Sequence, residues 1–272
     1  MTKNLQRWII NNYREAFDIQ KGEVISLVGG GGKTTLMFAL ARELSAAEGL
    51  VVTTTTTRIL EPLSSQTQAL YLNTDEGAII DWLKQSAESY NHVTIASKNL
   101  TSGKLTGINP ELATKIAHLN RVSATIIEAD GASRKPLKAP NATEPVIPDI
   151  TSLVIPVVGI DALGQQLSQD YVFRPEIASA ITGLPLGETI TSESIAVLVT
   201  HKQGLTRGSP AQARIVPFIN KVDTEMLLQK AMQLAEKILA SDHPYINKVV
   251  IGQAATPKAP LHVISLKAVQ SN

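Results

Sequence analysis

The sequence predicts an α/β fold: a mostly parallel central sheet in a three-layer arrangement, with a helical insertion at about 160–213. Three observations carry that reading. A β-branched run, EVISLV (23–28), is followed by glycines, a helical pattern and a second β-branched run, LVVTTTT (50–56). That order is a βαβ unit, which requires parallel strands and a right-handed crossover. Further short apolar runs alternate with amphipathic segments, and each has a carboxylate, glycine or proline just beyond its C-terminal end.

The elements follow in order. Leu5, Trp8, Ile9 and Tyr13 lie at helical spacing, so the first segment reads as an amphipathic helix. TTLMFALARELSAA (34–47) is a helix that stops near Gly49. ALYL (69–72) and HVTIAS (92–97) are strands, joined by a helix that Thr74 caps and that carries Ile79, Ile80 and Leu83. Asn109 before Pro110 starts a helix that runs to about Leu119. SATIIEAD (123–130) and SLVIPVV (152–158) are buried strands. Inside 160–213, Pro175–Thr182 and Ser192–Thr200 have helical patterns. RIVPFIN (214–220) resumes the sheet, Leu227 to Leu239 line a long amphipathic helix, and KVVIG (248–252) is the last core strand. Residues 1–272 thus read as one domain.

Composition narrows the function. With 43% hydrophobic and 18% charged residues, the chain is neither disordered nor fibrous. A net charge of +1 gives no argument for nucleic acid or an anionic membrane. The absence of cysteine excludes a disulfide framework and thiolate metal sites. The five histidines have no zinc-ligand spacing. MTKNLQRWIINN lacks the apolar stretch of a signal peptide, and no apolar run approaches a membrane span. The expectation is a soluble, cytoplasmic protein that binds neither nucleic acid nor membrane.

The glycine block is the most informative stretch. GGGGKTT (29–35) lies between a strand and a helix, as in a phosphate-binding loop. Gly29, Gly30, Gly31 and Gly32 let the backbone bend so that amides around 29–34 form an anion nest above a helix N-terminus. Lys33 neutralises β/γ-phosphates, and Thr34, followed by Thr35, offers a hydroxyl to Mg2+. The first glycine of the usual G-x-x-x-x-G-K-[ST] spacing is replaced by Leu27, leaving G-x-x-G-K-T-T, a spacing also found in Mur-type ligases. A tight turn explains one or two glycines, not four followed by Lys-Thr-Thr. The fold class is therefore P-loop NTPase-like.

Other motifs fit the same site. NKVD (220–223) follows a strand and matches the N-K-x-D pattern that reads guanine. There Asp223 would bond the base N1–H and exocyclic amine, Lys221 would lie across the purine and Asn220 would brace the loop. An Asp N-cap is the plainer alternative. GTP is thus favoured over ATP as the ligand. EADGA (128–132) ends a strand with acids, where a Mg2+-binding carboxylate belongs; Asp130 is the first choice and Glu128 the second. The catalytic candidates are Lys33, Asp130 and Glu128, and the metal pair is Thr34 with Asp130. TTTTTR (53–58) lies near the γ-phosphate edge, where its threonines could touch Mg2+ or remain ordinary strand residues. Arg134, Lys135 and Lys138 in SRKPLKAP, and Arg174 in FRPE, suit a phosphate, an anionic substrate, a partner or only solvent. His201, Lys202 and Arg207 form a second polar loop that could line the opposite face.

GGGGKTT, TTTTTR, EADGASRKPLKAP with EPVIP, VGIDALG, FRPE and NKVD, in this order, resemble the YqeC family over roughly residues 20–255. The resemblance implies a P-loop nucleotide-binding protein that acts as an accessory factor of selenium-dependent molybdenum hydroxylases. It implies functional roles for Gly29–Thr35, Glu128, Asp130, Arg134, Lys138, Arg174 and Asn220–Asp223. Three activities remain open: a Mg2+-dependent nucleoside triphosphatase timing hydroxylase maturation, an ATP- or GTP-dependent small-molecule kinase or ligase, and a non-catalytic nucleotide-gated partner.

Overall fold

The structure is a computed structural model and describes residues 4–46, 49–86 and 88–266. It opens on an edge strand, β1 (Leu5–Ile10), and a single helical turn, α1 (Tyr13–Ala16), which the Asn12 side chain caps. Next come β2 (Glu23–Gly29), the long helix α2 (Lys33–Leu44) and β3 (Leu50–Thr55). Ala47, at the end of the expected helix, lies outside the described residues. The chain continues through β4 (Arg58–Leu60), β5 (Ala69–Leu72), α3 (Glu76–Ser86), β6 (His92–Ala96), β7 (Lys98–Asn99) and β8 (Lys104–Thr106). Helix α4 (Pro110–Ala117) begins at Asn109, whose side chain accepts from the Leu112 N–H, and leads to β9 (Val122–Glu128). Then follow β10 (Leu137–Lys138), β11 (Leu153–Gly159), β12 (Val172–Phe173), α5 (Pro175–Thr182) and α6 (Ser192–Thr200). The remaining elements are β13 (Arg214–Ile215), β14 (Phe218–Asn220), α7 (Glu225–Ala240), β15 (Lys248–Ile251) and β16 (Leu261–Leu266).

The central sheet runs β1-β16-β15-β14-β11-β2-β9-β3-β6-β5, with β13 also paired to β11. All its pairs are parallel except β15–β16 and β1–β16. The strand side chains alternate between two helical layers. Ile25, Leu27, Val51, Ile126, Ile155 and Val157 pack with Leu36, Met37 and Leu40 of α2. Val28, Val154 and Val158 pack under α5–α7 on the opposite face, and Leu50, Val52 and Ile127 under α3 and α4. The three-layer, mostly parallel architecture is the expected one. Strand order reverses at β2: the chain passes to β3 and β6 on one side and later, from β9, to β11 and β14 on the other. Open α/β sheets bind ligands outside the carboxyl ends of strands at such a point.

Four local expectations change. The N-terminal helix is a strand, because Leu5–Ile10 pairs residue for residue with Leu266–Leu261. Both partners are rich in β-branched or bulky residues, and ladder formation outweighs the helical spacing. KVVIG is consequently not the last core strand, since β16 lies between it and β1. Helix α3 takes its cap from Asp75, whose carboxylate accepts from the Ala78 N–H, rather than from Thr74. RIVPFIN is divided into β13 and β14 around Val216–Pro217, as a proline without an N–H demands. The small antiparallel sheet β4-β8-β7 has no counterpart in the expectation. Helices α5 and α6 span the residues their patterns predict.

One core polar group makes stability depend on pH. His92 is buried in β6 beside Thr53, at 3.0 Å from its hydroxyl, and burial pushes its pKa down to about 4. The unfolded chain therefore binds more protons between about 4 and the ordinary histidine value, so this contribution is present above that window and lost as pH falls through it. Going from about pH 7.5 to about pH 5 is expected to cost about 2 kcal/mol through this group. Urea unfolding of the wild type and His92→Gln at both pH values checks this: the variant should lack that increment.

Candidate functional site

The carboxyl edge of β2, β9, β11 and β14 opens into a cleft of about 950 Å³. Gly31, Gly32, Lys33, Thr34 and Thr35 form its floor, with Glu128 beside them. A separate hollow of about 300 Å³, lined by Leu50, Leu83, Leu119 and Val122, lies at the amino ends of β3 and β9, away from this chemistry.

The glycine loop is short. Leu27, at the position of the missing first glycine, is a fully buried strand residue, and β2 extends to Gly29. The chain then turns into α2 within three residues. Gly31 has φ 80°, and a Cβ there would stand 2.1 Å from the Gly159 nitrogen, so no other residue fits. Gly32 caps α2 with φ 117°. The tight path uses up amides that the sequence assigns to an anion nest. Gly29 N–H donates to Asp130 at 3.1 Å, Gly30 N–H to the Val157 carbonyl at 3.0 Å and Gly31 N–H to the Lys135 carbonyl at 2.9 Å. The nest therefore starts at Gly32, where the first amides of α2 have no intrahelical partner and the helix dipole adds positive charge.

Six charged side chains run from this floor in alternating sign. Lys33, only 3% exposed, lies 3.7 Å from Glu128 and 3.1 Å from Asp130, and donates to the Gly29 carbonyl at 2.6 Å. Asp130 lies 3.0 Å from Lys138, which is fully buried and donates to the Gly131 carbonyl. Lys138 reaches Glu144 at 2.7 Å, and Glu144 reaches Arg174 at 2.8 Å. The Arg174 guanidinium also lies 4.5 Å from the Phe173 ring centre.

The environment sets each protonation state. Burial opposes the Lys33 charge, but Asp130 and Glu128 together outweigh it and hold the pKa above the ordinary lysine value. Burial pushes the Glu128 carboxyl up, and Lys33 and the Thr34 hydroxyl only partly offset that. Burial also acts on Glu144, yet hydrogen bonds from Lys138 and Arg174 prevail and hold it below the usual carboxylate range.

Other expected residues fall in different places. Thr34 Oγ1 donates to Glu128 Oε2 at 2.6 Å, while Asp130 serves Lys33, Lys138 and the Gly29 amide. The hydroxyl–carboxylate pair is thus Thr34 with Glu128, rather than Thr34 with Asp130. Asp130 Oδ1 is buried and accepts no well-directed hydrogen bond. Asn220 braces the loop as expected, donating to the Gly31 carbonyl at 2.8 Å and accepting from the Ala254 N–H at 2.9 Å. Lys221 lines the cleft and pairs with Asp161 at 2.7 Å. Asp223 is exposed outside the cleft lining, and it is not an N-cap, because Thr224 caps α7. Of the threonine run, Thr53 to Thr55 are buried in the sheet, Thr56 bonds the Val146 carbonyl, and Thr57 lines the cleft. Arg134, Lys135 and Arg174 line the cleft; His201, Lys202 and Arg207 do not, and Arg207 donates to the carbonyls of Asn141 and Ala142.

Sequence reasoning missed Glu144, Gly159 and Asp161, although each lies in a stretch, EPVIP or VGIDALG, that carries the resemblance. A model of the family described as YqeC protein matches residues 25–176, which hold the glycine loop and all six residues of the ion chain.

The chain belongs to the YqeC family.

It is 35% identical over 198 residues to the uncharacterized protein YqeC of Escherichia coli (strain K12), covering 73% of this chain and 75% of that protein. The YqeC match thus ends just beyond Arg174, the last member of the chain of charges. Among the described residues, no group of three or more His, Cys, Asp or Glu could hold a metal ion by itself, and no helix is long and apolar enough to cross a membrane.

Lys138 tests the charge chain. Lys138→Met leaves Asp130 and Glu144 without their shared ammonium, and loss of one partner of a buried pair is expected to cost about 3–5 kcal/mol. Urea unfolding measures it; a loss below about 1 kcal/mol would show that the carboxylates do not depend on Lys138.

Proposed function

We propose that this YqeC protein binds a nucleoside triphosphate with Mg2+ at the head of α2 and hydrolyses it. The observation that carries the reading is the convergence there of a protonated, buried Lys33 and a Thr34–Glu128 pair at 2.6 Å. The donor set suits Mg2+, which takes one or two protein oxygens and completes its shell with phosphate and water. Thr34 would hold it directly, and Glu128 directly or through water; bound there, it would neutralise charge on the β/γ-phosphates.

The chain's own residues have separable roles in this reading. Lys33 keeps its proton and faces the phosphates. Asp130 holds Lys33 and fixes the end of β2 through the Gly29 amide. The amides from Gly32 onward receive phosphate oxygens. Asn220 ties the base-side loop to the phosphate loop, so both ends of a nucleotide meet one rigid frame. Within NKVD, the Lys221 stem, which lines the cleft, packs on the purine; Asp223, exposed just outside that lining, would have to turn toward the base to select guanine, which favours GTP over ATP. Turnover would time a step in the maturation of selenium-dependent molybdenum hydroxylases, the role that the family resemblance implies. A small-molecule kinase or ligase is the second reading, favoured by the further basic residues that line the cleft with Lys33.

Two substitutions test the site. Lys33→Ala is expected to abolish Mg2+–GTP binding in calorimetry, and tight binding by the variant would contradict the loop assignment. Asp223→Asn is expected to weaken GTP binding about tenfold or more while relaxing discrimination against the xanthosine nucleotide. Equal affinity of the wild type for ATP and GTP would remove the guanine assignment.

A further inference from the structure

The cleft holds more positive charge than a nucleotide site needs. Glu128 and Asp130 hold Lys33, Glu144 holds Arg174, and Asp161 holds Lys221. Four more cations line the same space, Arg58 on β4, Lys104 on β8, and Arg134 and Lys135 in the loop after β9. Among the described residues, none of these four has a carboxylate partner, and Lys135 donates to the Asp170 carbonyl instead. They come from elements other than the glycine loop and α2, two of them from the small β4-β8-β7 sheet.

The backbone there is strained in a consistent place. Among the described residues, seven non-glycine residues have left-handed φ, and four of them, Ser133, Arg134, Arg174 and Lys221, line this cleft. Such conformations cost free energy and cluster where side chains must be held in position for a ligand. Arg174 shows the purpose most clearly. Its Nη1 is fixed to Glu144 and its plane lies against Phe173, which leaves its other N–H donors available in a set geometry. A cleft of about 950 Å³ also lies at the upper end of the usual range for small-molecule sites.

We propose that Arg58, Lys104, Arg134 and Arg174 form a second anion subsite, in the same cleft as Lys33, for a small molecule that carries a phosphate or carboxylate group and binds beside the nucleotide. This rests on the nucleotide reading above and names the class of its co-ligand. The shared chemistry is a planar or tetrahedral oxyanion, which guanidinium groups bind in a forked geometry.

The test uses the full chain saturated with Mg2+ and a non-hydrolysable GTP analogue. Inorganic phosphate and succinate are titrated separately by calorimetry. Binding of either probe is expected, and the tighter one identifies the oxyanion. The double variant Arg58→Ala/Lys104→Ala should lose probe affinity at least tenfold more than it loses nucleotide affinity. A control, Lys202→Ala/Lys230→Ala, removes two exposed lysines outside the cleft lining and should bind the probe like the wild type. The proposal is overturned if neither probe binds, if the control loses as much, or if nucleotide affinity falls by the same factor, since the cations would then serve the nucleotide itself. Should the analogue fail to bind, the nucleotide reading fails alone: probe binding to the free chain that survives Lys33→Ala but not Arg58→Ala/Lys104→Ala would still establish the subsite.

Discussion

Six ionisable side chains in alternating order, Glu128, Lys33, Asp130, Lys138, Glu144 and Arg174, join the glycine loop to the head of α5. Three cations offset three carboxylates. Burying any of these alone would carry a large desolvation penalty, and the mutual attraction offsets it only when geometry and extra hydrogen bonds are good. The carbonyls of Gly29 and Gly131 and the Gly29 amide supply those bonds. The chain of charges therefore fixes where β2 ends, where the strand exit at 128–131 lies and how the 133–140 loop returns. It contributes position more than stability.

The short loop follows from that constraint. Gly29 is held by Asp130, and Gly30 and Gly31 are held by Val157 and Lys135, so the backbone has no slack between β2 and α2. Gly31 passes Gly159 at a separation that admits no side chain on Gly31. The amides without a partner are displaced one turn toward α2, and the Asn220 side chain clamps the loop from β14. A rigid floor of this kind pre-organises donors, so that binding need not pay to order them.

Much of this was legible in the sequence because it depends on local chemistry. Strand–glycine–helix order, the Asn109–Pro110 cap and the two helices at 175–182 and 192–200 need only neighbours in the chain. What was not legible depends on residues far apart. Leu5–Ile10 reads as a helix until its partner, more than 250 residues away, is known. Asp130 looks like the metal carboxylate by its place after β9, and only the approach of Lys138 and the Gly29 amide shows that its Oδ2 is already committed. Glu144 carries no motif of its own; it matters because it lies between two cations that the sequence places 36 residues apart, at 138 and 174. Lys104 was invisible for the same reason, and Arg58, though it ends the TTTTTR motif, had no assigned role, since the sheet that brings β4 and β8 together is built from strands of two or three residues.

Electroneutrality along the buried chain has a consequence for ligand binding. Lys33, Lys138 and Arg174 already have carboxylates, so an arriving polyanion gains from them only a redistribution of existing pairs. Net attraction must come from positive charge without a partner: the amides at the head of α2, which act over about one turn, and the unpaired cations of the cleft lining. A nucleotide alone would place its phosphates against the first source and leave the second facing water. Surface cations facing water are ordinary, but a loop strained at Ser133 and Arg134 to present one is not, because an unstrained loop would expose a lysine or arginine equally well. The strain is intelligible if the position of Arg134, and not merely its charge, is what the fold maintains.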